Sequence, residues 1–340
     1  MPKTPGAYMD ENEPAFHSEV SVEKALNSRC SSDNDGDQKV FHWGMYDLNT
    51  PIPPEYIGAI EQGLQIPRFT TKELHVELDK RPIVLSMYND VKSIEKDWLS
   101  IESGMQHQAV HLVCAVLGMG TCIHNLGTEG TLQRNGLIGT AKMVLNMMLP
   151  SYNDLIWSVG PPSDLYIDSG LPAPRRDSEF PLLKAMEDAC IDSDGKDADA
   201  SDISQLLWAA RGRTPHYIMG KPYGLTIPTW AGGQNIASVF YASSDGLYQY
   251  VNTIDNKSAH SHKRVNDNGT SNSSTQILLA VNESTGRGLW EVGYMLENLI
   301  LQATAVGIRY KAVLFDEDAR KKWEELGIKG AKASCVVYPG

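Results

Sequence analysis

Two well-separated stretches of this sequence carry the same strand-then-helix pattern. Arg81-Pro-Ile-Val-Leu-Ser-Met-Tyr-Asn-Asp90 and Thr275-Gln-Ile-Leu-Leu-Ala-Val-Asn-Glu283 each read as a short buried strand. A long apolar run follows each, over 102–118 and 291–307. Glu102 and Glu291, Gly104 and Gly293, Leu112 and Leu301, and Gly118 and Gly307 all keep one constant spacing. One match is cheap; four in register behind a strand mark a duplicated unit. Apolar residues at Met105, Ala109, Leu112, Val113 and Val116, and at Met295, Leu299, Ala303 and Val306, fall at helical spacing. Their neighbours are largely apolar too, so each helix is expected to be wrapped by protein. Two equivalent buried helices would pack on each other, as in a dimer fused into one chain; separate packing of two similar core helices is the alternative.

A fainter repeat joins Lys24, Ala25 and Cys30 to Lys184, Ala185 and Cys190, at a shorter spacing. The two spacings differ, so the second copy holds material that the first lacks. It includes Ile203-Ser-Gln-Leu-Leu-Trp-Ala-Ala-Arg-Gly212, Thr226-Ile-Pro-Thr-Trp-Ala-Gly-Gly233 and an expected hairpin across Ser243-Ser-Asp245. The resulting division is an arm over 1–20, a shortened first repeat over 21–149, a connector over 150–180 and a second repeat over 181–340. The connector, rich in Pro and Gly, is expected to wrap the surface in extended form. Residues 255–275, rich in Asn and Ser, are expected to be a loop, either a functional lid or a mobile one.

With 42 acidic against 30 basic side chains among 340 residues, the net charge of -12 opposes a phosphate backbone, so no nucleic-acid partner is expected. Apolar runs never reach about 18 residues, which argues against a spanning helix. The opening segment lacks the basic and apolar regions of a signal peptide, and the five cysteines are scattered without a CxxC pair. A reducing cytoplasm is the expected compartment.

Several segments, in order, resemble the FMN-dependent nitroreductase superfamily, and within it the SagB-type dehydrogenases. Ser204–Gly212 is similar to that family's Leu-Trp-Ala-Ala helix, Thr226–Gly233 to its turn beside the flavin, and Gly246–Tyr250 to the next strand. Residues 102–122 and 291–308 are similar to its interface helix, and 311–340 to its closing helix and strand. The resemblance implies an α+β fold, a nitroreductase-like three-layer sandwich, arranged here as a tandem repeat forming a single-chain pseudo-dimer. It also implies FMN as cofactor and hydride transfer between flavin and a small-molecule or peptide-derived substrate.

Family members hold flavin with residues of both subunits, so the implied site is composite. One phosphate clamp of the family is a run of arginines and a serine. Arg29-Cys-Ser31 keeps one arginine and the serine, whereas Ala189-Cys-Ile-Asp192 keeps neither. The flavin-facing turn is expected to survive only in the second copy, as Pro228, Thr229, Trp230, Gly232 and Gly233. The strand after the first interface helix leads into His124-Asn125-Leu126-Gly127, the place of backbone donors near the flavin. One surviving site per chain is therefore expected: Arg29, Ser31, Asn125, Leu126 and Gly127 from the first copy, with Pro228, Thr229, Trp230, Gly232 and Gly233 from the second. Trp230 is the stacking wall and His124, which titrates near neutrality, the acid–base candidate. The Lys-Tyr pair of SagB-type enzymes is missing, with Asp90-Val91 in its place. The competing expectation is a cofactor-free pseudoenzyme of the same fold that binds a ligand or partner. As to assembly, a monomer or weak homodimer is expected.

Other patterns point to less. His107 and His111 stand four apart, a metal-capable spacing, but without an HExxH motif no metal is expected. Asp33–Asp37 and Asp192–Gly195 lack the spacing of a calcium loop. His260, His262, Lys263 and Arg264 form a small basic cluster within the expected loop.

Overall fold

In a computed structural model of the chain, the described residues are 19–29, 46–47, 54–63, 75–80, 83–90, 96–117, 119–124, 137–148, 157–159, 170–214, 216–218, 221–222, 224–228, 236–253, 259–270, 275–281, 286–314, 317–328 and 332–340. The first elements are α1 (Val22–Ser28), β1 (Tyr46–Asp47), α2 (Pro54–Gly63), β2 (His75–Lys80), β3 (Ile83–Asp90), α3 (Lys96–Val116), β4 (Met119–His124), β5 (Leu137–Met148) and β6 (Trp157–Val159). Then come α4 (Leu182–Asp188), β7 (Asp192–Ser193), α5 (Ala200–Arg211), β8 (His216–Ile218) and β9 (Lys221–Pro222). The last are β10 (Ala237–Ser243), β11 (Gly246–Val251), β12 (Ser261–Asn266), β13 (Gln276–Val281), α6 (Gly286–Val306), β14 (Tyr310–Leu314), α7 (Glu317–Glu325) and β15 (Lys332–Pro339).

Antiparallel pairing among the described residues sets up two large sheets whose central strands follow the same order, and a small third one, β6-β8-β9. One runs β2-β3-β5-β4, with β1 beside the far end of β5. The other contains β10-β13-β15-β14, extended by β11 and β12 on one side and by β7 on the other. Helix α3 packs on β4 and β5, α6 packs on β10, β13 and β15, and the two helices pack along each other. The layers are thus sheet, helices, sheet. The main apolar core runs through them and includes Leu112, Val113, Leu299, Ile300, Leu279 and Trp208, and a smaller cluster gathers around Trp323.

The helix contact follows from two glycines. A methyl added at Gly104 would collide with the carbonyl of Trp290, and one added at Gly293 with the carbonyl of Ile101 and, at 2.8 Å, with the Gly104 Cα. Ile101 and Trp290 keep the same spacing as Gly104 and Gly293, so the contact is reciprocal. That reciprocity is what an approximate two-fold axis produces. The N-terminal helices obey the same rule. Helices α1 and α4 both span 7 residues. Ser21 forms an antiparallel bridge with Pro181, its own counterpart at the spacing that relates Lys24 to Lys184. The Leu182 N–H donates to Val20 O at 2.8 Å in that bridge.

Caps mark where the local sequence starts two of the helices. Ser21 Oγ accepts from the Lys24 N–H at 3.2 Å, and Asp199 with Asp202 makes a full capping box on α5. The hairpin expected across Ser243–Asp245 is present between β10 and β11.

One expectation is corrected. Residues 261–266 are not loop but the edge strand β12, paired with β11 from Leu247↔Asn266 to Val251↔Ser261. Polar composition hid it, because its polar side chains meet strand neighbours: Tyr241 Oη bonds His262 Nδ1, and just before the strand Tyr250 Oη bonds His260 Nδ1 at 2.8 Å. The segment expected as a connector makes defined contacts. It contains β6, paired with β8, and its 170–180 portion is pinned between α1 and α5. There Ser204 Oγ donates to Pro172 O at 2.6 Å, the Arg175 N–H donates to Gln205 Oε1 at 2.7 Å, and Arg176 lies over the Trp208 ring at 5.4 Å. Pro174 is buried.

Candidate functional site

The segment entering the expected flavin turn is gripped from several helices. Arg29 follows α1 as its C-cap, in extended backbone conformation, which turns its long side chain inward; the residue is only 5% exposed. Its Nη2 donates to Leu225 O at 2.8 Å. From α3, Gln108 Nε2 donates to Thr226 O at 2.9 Å and to Asn298 Oδ1 at 2.8 Å. From α6, Asn298 Nδ2 donates to Ala209 O at 2.9 Å and to Thr226 O at 3.3 Å. The Thr226 N–H closes the arrangement on Gly212 O at 3.0 Å. Leu225 and Thr226 are thereby tied to helices from both halves of the chain.

Of the expected cofactor residues, the structure brings Arg29 to the segment that leads into Pro228, which is half-buried. His124, the acid–base candidate, ends β4 in register with Lys142. Ser31, Asn125, Leu126, Gly127, Thr229, Trp230, Gly232 and Gly233 lie outside the described residues. At the place corresponding to Arg29 the second half has Ala189, the C-cap of α4, whose side chain brings no charge.

Polar groups that the sequence did not single out run along the buried seam between α3 and α6. Gln108, Glu297 and Asn298 are fully buried, beside His107, which the sequence had marked. Gln302 Nε2 donates to Glu23 Oε1 at 2.9 Å, and Arg211 pairs with Glu291 at 2.8 Å with both side chains buried. The signal for them was the presence of amides and carboxylates inside otherwise apolar helices, which a count of apolar spacing passes over. Burial pushes His107 down to about 3, and its ring meets Trp290 edge-on at 6.0 Å. Burial, then the charge of Arg29, then His107, also hold His111 well below the ordinary histidine range. Both histidines are therefore neutral packing groups. Among the described residues no cluster of three His, Cys, Asp or Glu is placed to hold a metal. Nor is any helix among them long and apolar enough to cross a membrane.

A second missed signal concerns the turn. Gly63-Leu-Gln-Ile-Pro67-Arg-Phe69 parallels Gly224-Leu-Thr-Ile-Pro228-Thr-Trp230. The hairpin that precedes the second of these closes at its base, where Arg213 bridges Leu225. Excising it would join the Gly212 end of α5 to Leu225, as Gly63 at the end of α2 runs into Leu64. The turn sequence is thus not confined to the second half.

No family model matches the sequence, and no curated relative does. Among solved structures, a protein assigned as a nitroreductase from Anabaena variabilis superposes with TM-score 0.51 at 9% identity, over 85% of this chain and 73% of that one. Proteins with the same assignment from Thermotoga maritima and Ralstonia eutropha give 0.44 at 11% identity and 0.40 at 19%. They cover 97% and 50% of this chain and 98% and 87% of their own. The chain has the nitroreductase fold. A likeness at 9% identity is one of fold, and the reaction has to be sought in the residues themselves.

Proposed function

We propose that the chain is an FMN-dependent oxidoreductase of SagB-type character. In this reading it is built as a single-chain pseudo-dimer from repeats at 21–149 and 181–340, joined by 150–180, with one composite flavin site. The observation that carries the reading is the gripping of Leu225 and Thr226 by Arg29, Gln108 and Asn298, from α1, α3 and α6. The residues fit the group. Gln108 Oε1 is a buried acceptor with no hydrogen-bond partner among the described residues, suited to an N–H on a ring edge. Arg29 brings a buried positive charge to the same segment, suited to a phosphate.

FMN, when bound, supplies hydride transfer and an electron sink. The chain's residues do the rest in this reading. Arg29 and Ser31 offset the anionic end. Gln108 and Asn298 fix the backbone that leads into the 228–233 turn, Trp230 walls the ring face, and Asn125–Gly127 supply backbone donors. His124 moves the proton. The substrate is a small molecule or a modified peptide, met in the cytoplasm by a monomer or weak homodimer.

A pseudoenzyme that keeps the fold to bind a ligand or a partner protein is the second reading. It is favoured by one specific observation: the described hydrogen bond of Arg29 goes to a backbone carbonyl, and Ala189 takes the corresponding place in the other half. The visible spectrum of gently purified protein, with the flavin released and quantified per chain, separates the two. One FMN per chain is the expected result. None supports the second reading, and two per chain contradict the single composite site.

A further inference from the structure

Gln108 and Glu297 stand at the same place in the two long helices, related by the spacing that joins Gly104 to Gly293. Gln108 uses its amide to hold Thr226. Glu297 is fully buried as well, but neither of its oxygens has a hydrogen-bond partner among the described residues. It sits next to Asn298, which holds the same carbonyl and Ala209 O. A carboxylate in that setting has lost its water and gained nothing in exchange.

We propose that Glu297 is a proton-gated counterpart of Gln108: as a neutral acid it lets the helix seam close, and on losing its proton it opens the seam beside Asn298. A neutral carboxylic acid has the shape and the donor–acceptor pair of an amide, so it can occupy Gln108's mirror position without a counter-ion. The anion is acceptor-only and has to find water or a cation.

The described side chains on the packing partners of α6 offer it none. On α3 the titratable groups at the seam are Glu102, His107 and His111, and both histidines are held neutral by burial. On α1 they are Glu23, engaged by Gln302 and Ser178, and Arg29, which donates to Leu225 O. On α5, Arg211 is paired with Glu291. On α4, Lys184 is exposed and bound to Glu187 and Asp188. Strand β13 has no titratable side chain, Tyr241 of β10 is bonded to His262, Tyr338 of β15 packs against the separate cluster around Trp323, and β15 also carries Lys332, opposite Val281, and Cys335, whose side chains are not among those described. Burial alone accordingly raises the Glu297 carboxyl to about 8.

The sign of the effect is fixed. Between the unfolded value of 4.5 and about 8 the folded protein holds one proton more than the unfolded chain, so stability falls as pH rises through that window. Wild-type protein and Glu297→Gln are compared by urea unfolding from pH 5 to 9, with hydrogen exchange of the α3 and α6 amides and carboxyl-carbon NMR of glutamate-labelled wild type. The wild-type folding constant, relative to Glu297→Gln, should drop by up to about tenfold per pH unit across the window. One glutamate carboxyl should titrate near 8, and amides beside 108 and 297 should lose protection above that pH in the wild type alone. A constant stability ratio, glutamates that all titrate near 4.5, or a titration near 8 without loss of protection would each overturn the proposal. The wild-type titration and exchange keep it testable if the variant does not fold.

Discussion

The helix layer pairs two long helices whose neighbouring strands follow the same order and whose polar groups differ. Both halves order their central strands alike, and both long helices cross on a glycine, Gly104 in one and Gly293 in the other. Around that common frame the polar groups diverge. Helix α3 carries His107 and Gln108 where α6 carries Leu296 and Glu297. Arg29 caps α1 where Ala189 caps α4. Backbone geometry tolerates no asymmetry at the crossing, because each helix is the other's wall. Side chains a turn or two away are under no such constraint. A paired helix layer of this kind therefore leaves the polar groups away from the crossing free to differ.

The buried ion pair tests this difference most forcibly. Arg211 on α5 neutralises Glu291, whose counterpart on α3 is Glu102. Arg211→Met leaves the Glu291 carboxylate buried without its cation, and a loss of about 3–5 kcal/mol is expected. Urea unfolding of the variant measures it. If Arg211→Met costs under about 1 kcal/mol, the pair is not what anchors α5 to α6.

Next in size comes the crossing itself. Gly293→Ala and Gly104→Ala both drive a methyl into backbone of the opposite helix, and backbone cannot rotate away as a side chain can. Each should cost about 1–3 kcal/mol, the overpacking range, with Gly293→Ala the worse because its methyl meets three backbone atoms of α3 closely. Similar losses in the two variants, read from urea midpoints, would sharpen the two-fold description. An effect in one variant alone would break it.

Much of the frame was legible from residue patterns. The strand preceding each long helix, the helices and the β10–β11 turn follow from periodicity and turn chemistry, which are local. Gln108 and Asn298 were not legible as a pair, since their meeting at Thr226 depends on two helices brought together from distant parts of the chain. Strand β12 was obscured because Ser261, His262, Lys263 and Arg264 resemble a loop until their partners on β11 are known. The kinship of Gly63–Phe69 with Gly224–Trp230 was present in the sequence but masked by the hairpin that separates α5 from the second turn. Of the expected flavin contacts, Arg29 carries a defined interaction, and it is one that spacing alone could not place.

Acid sensitivity offers the finest test, because it belongs to α3 where alkaline sensitivity is assigned to α6. His107 is buried without a hydrogen-bond partner among the described residues and is held down to about 3, while its counterpart Leu296 does not titrate. The unfolded chain takes up a proton at this residue below its ordinary value of 6.5, and the folded protein does not until about 3. Stability linked to His107 is thus fully present above 6.5 and is lost as pH falls toward 3. His107→Leu keeps the apolar contact with Trp290 and removes the proton. Between about pH 7.5 and 5.5 the variant should lose about 1.4 kcal/mol less stability than the wild type, one proton's worth over one pH unit. His111 and His260, both also lowered by burial, remain in the variant, so the acid slope should be reduced and not abolished. Identical slopes in variant and wild type would mean that His107 reaches water, and that the two helices do not seal against each other at this level of the seam.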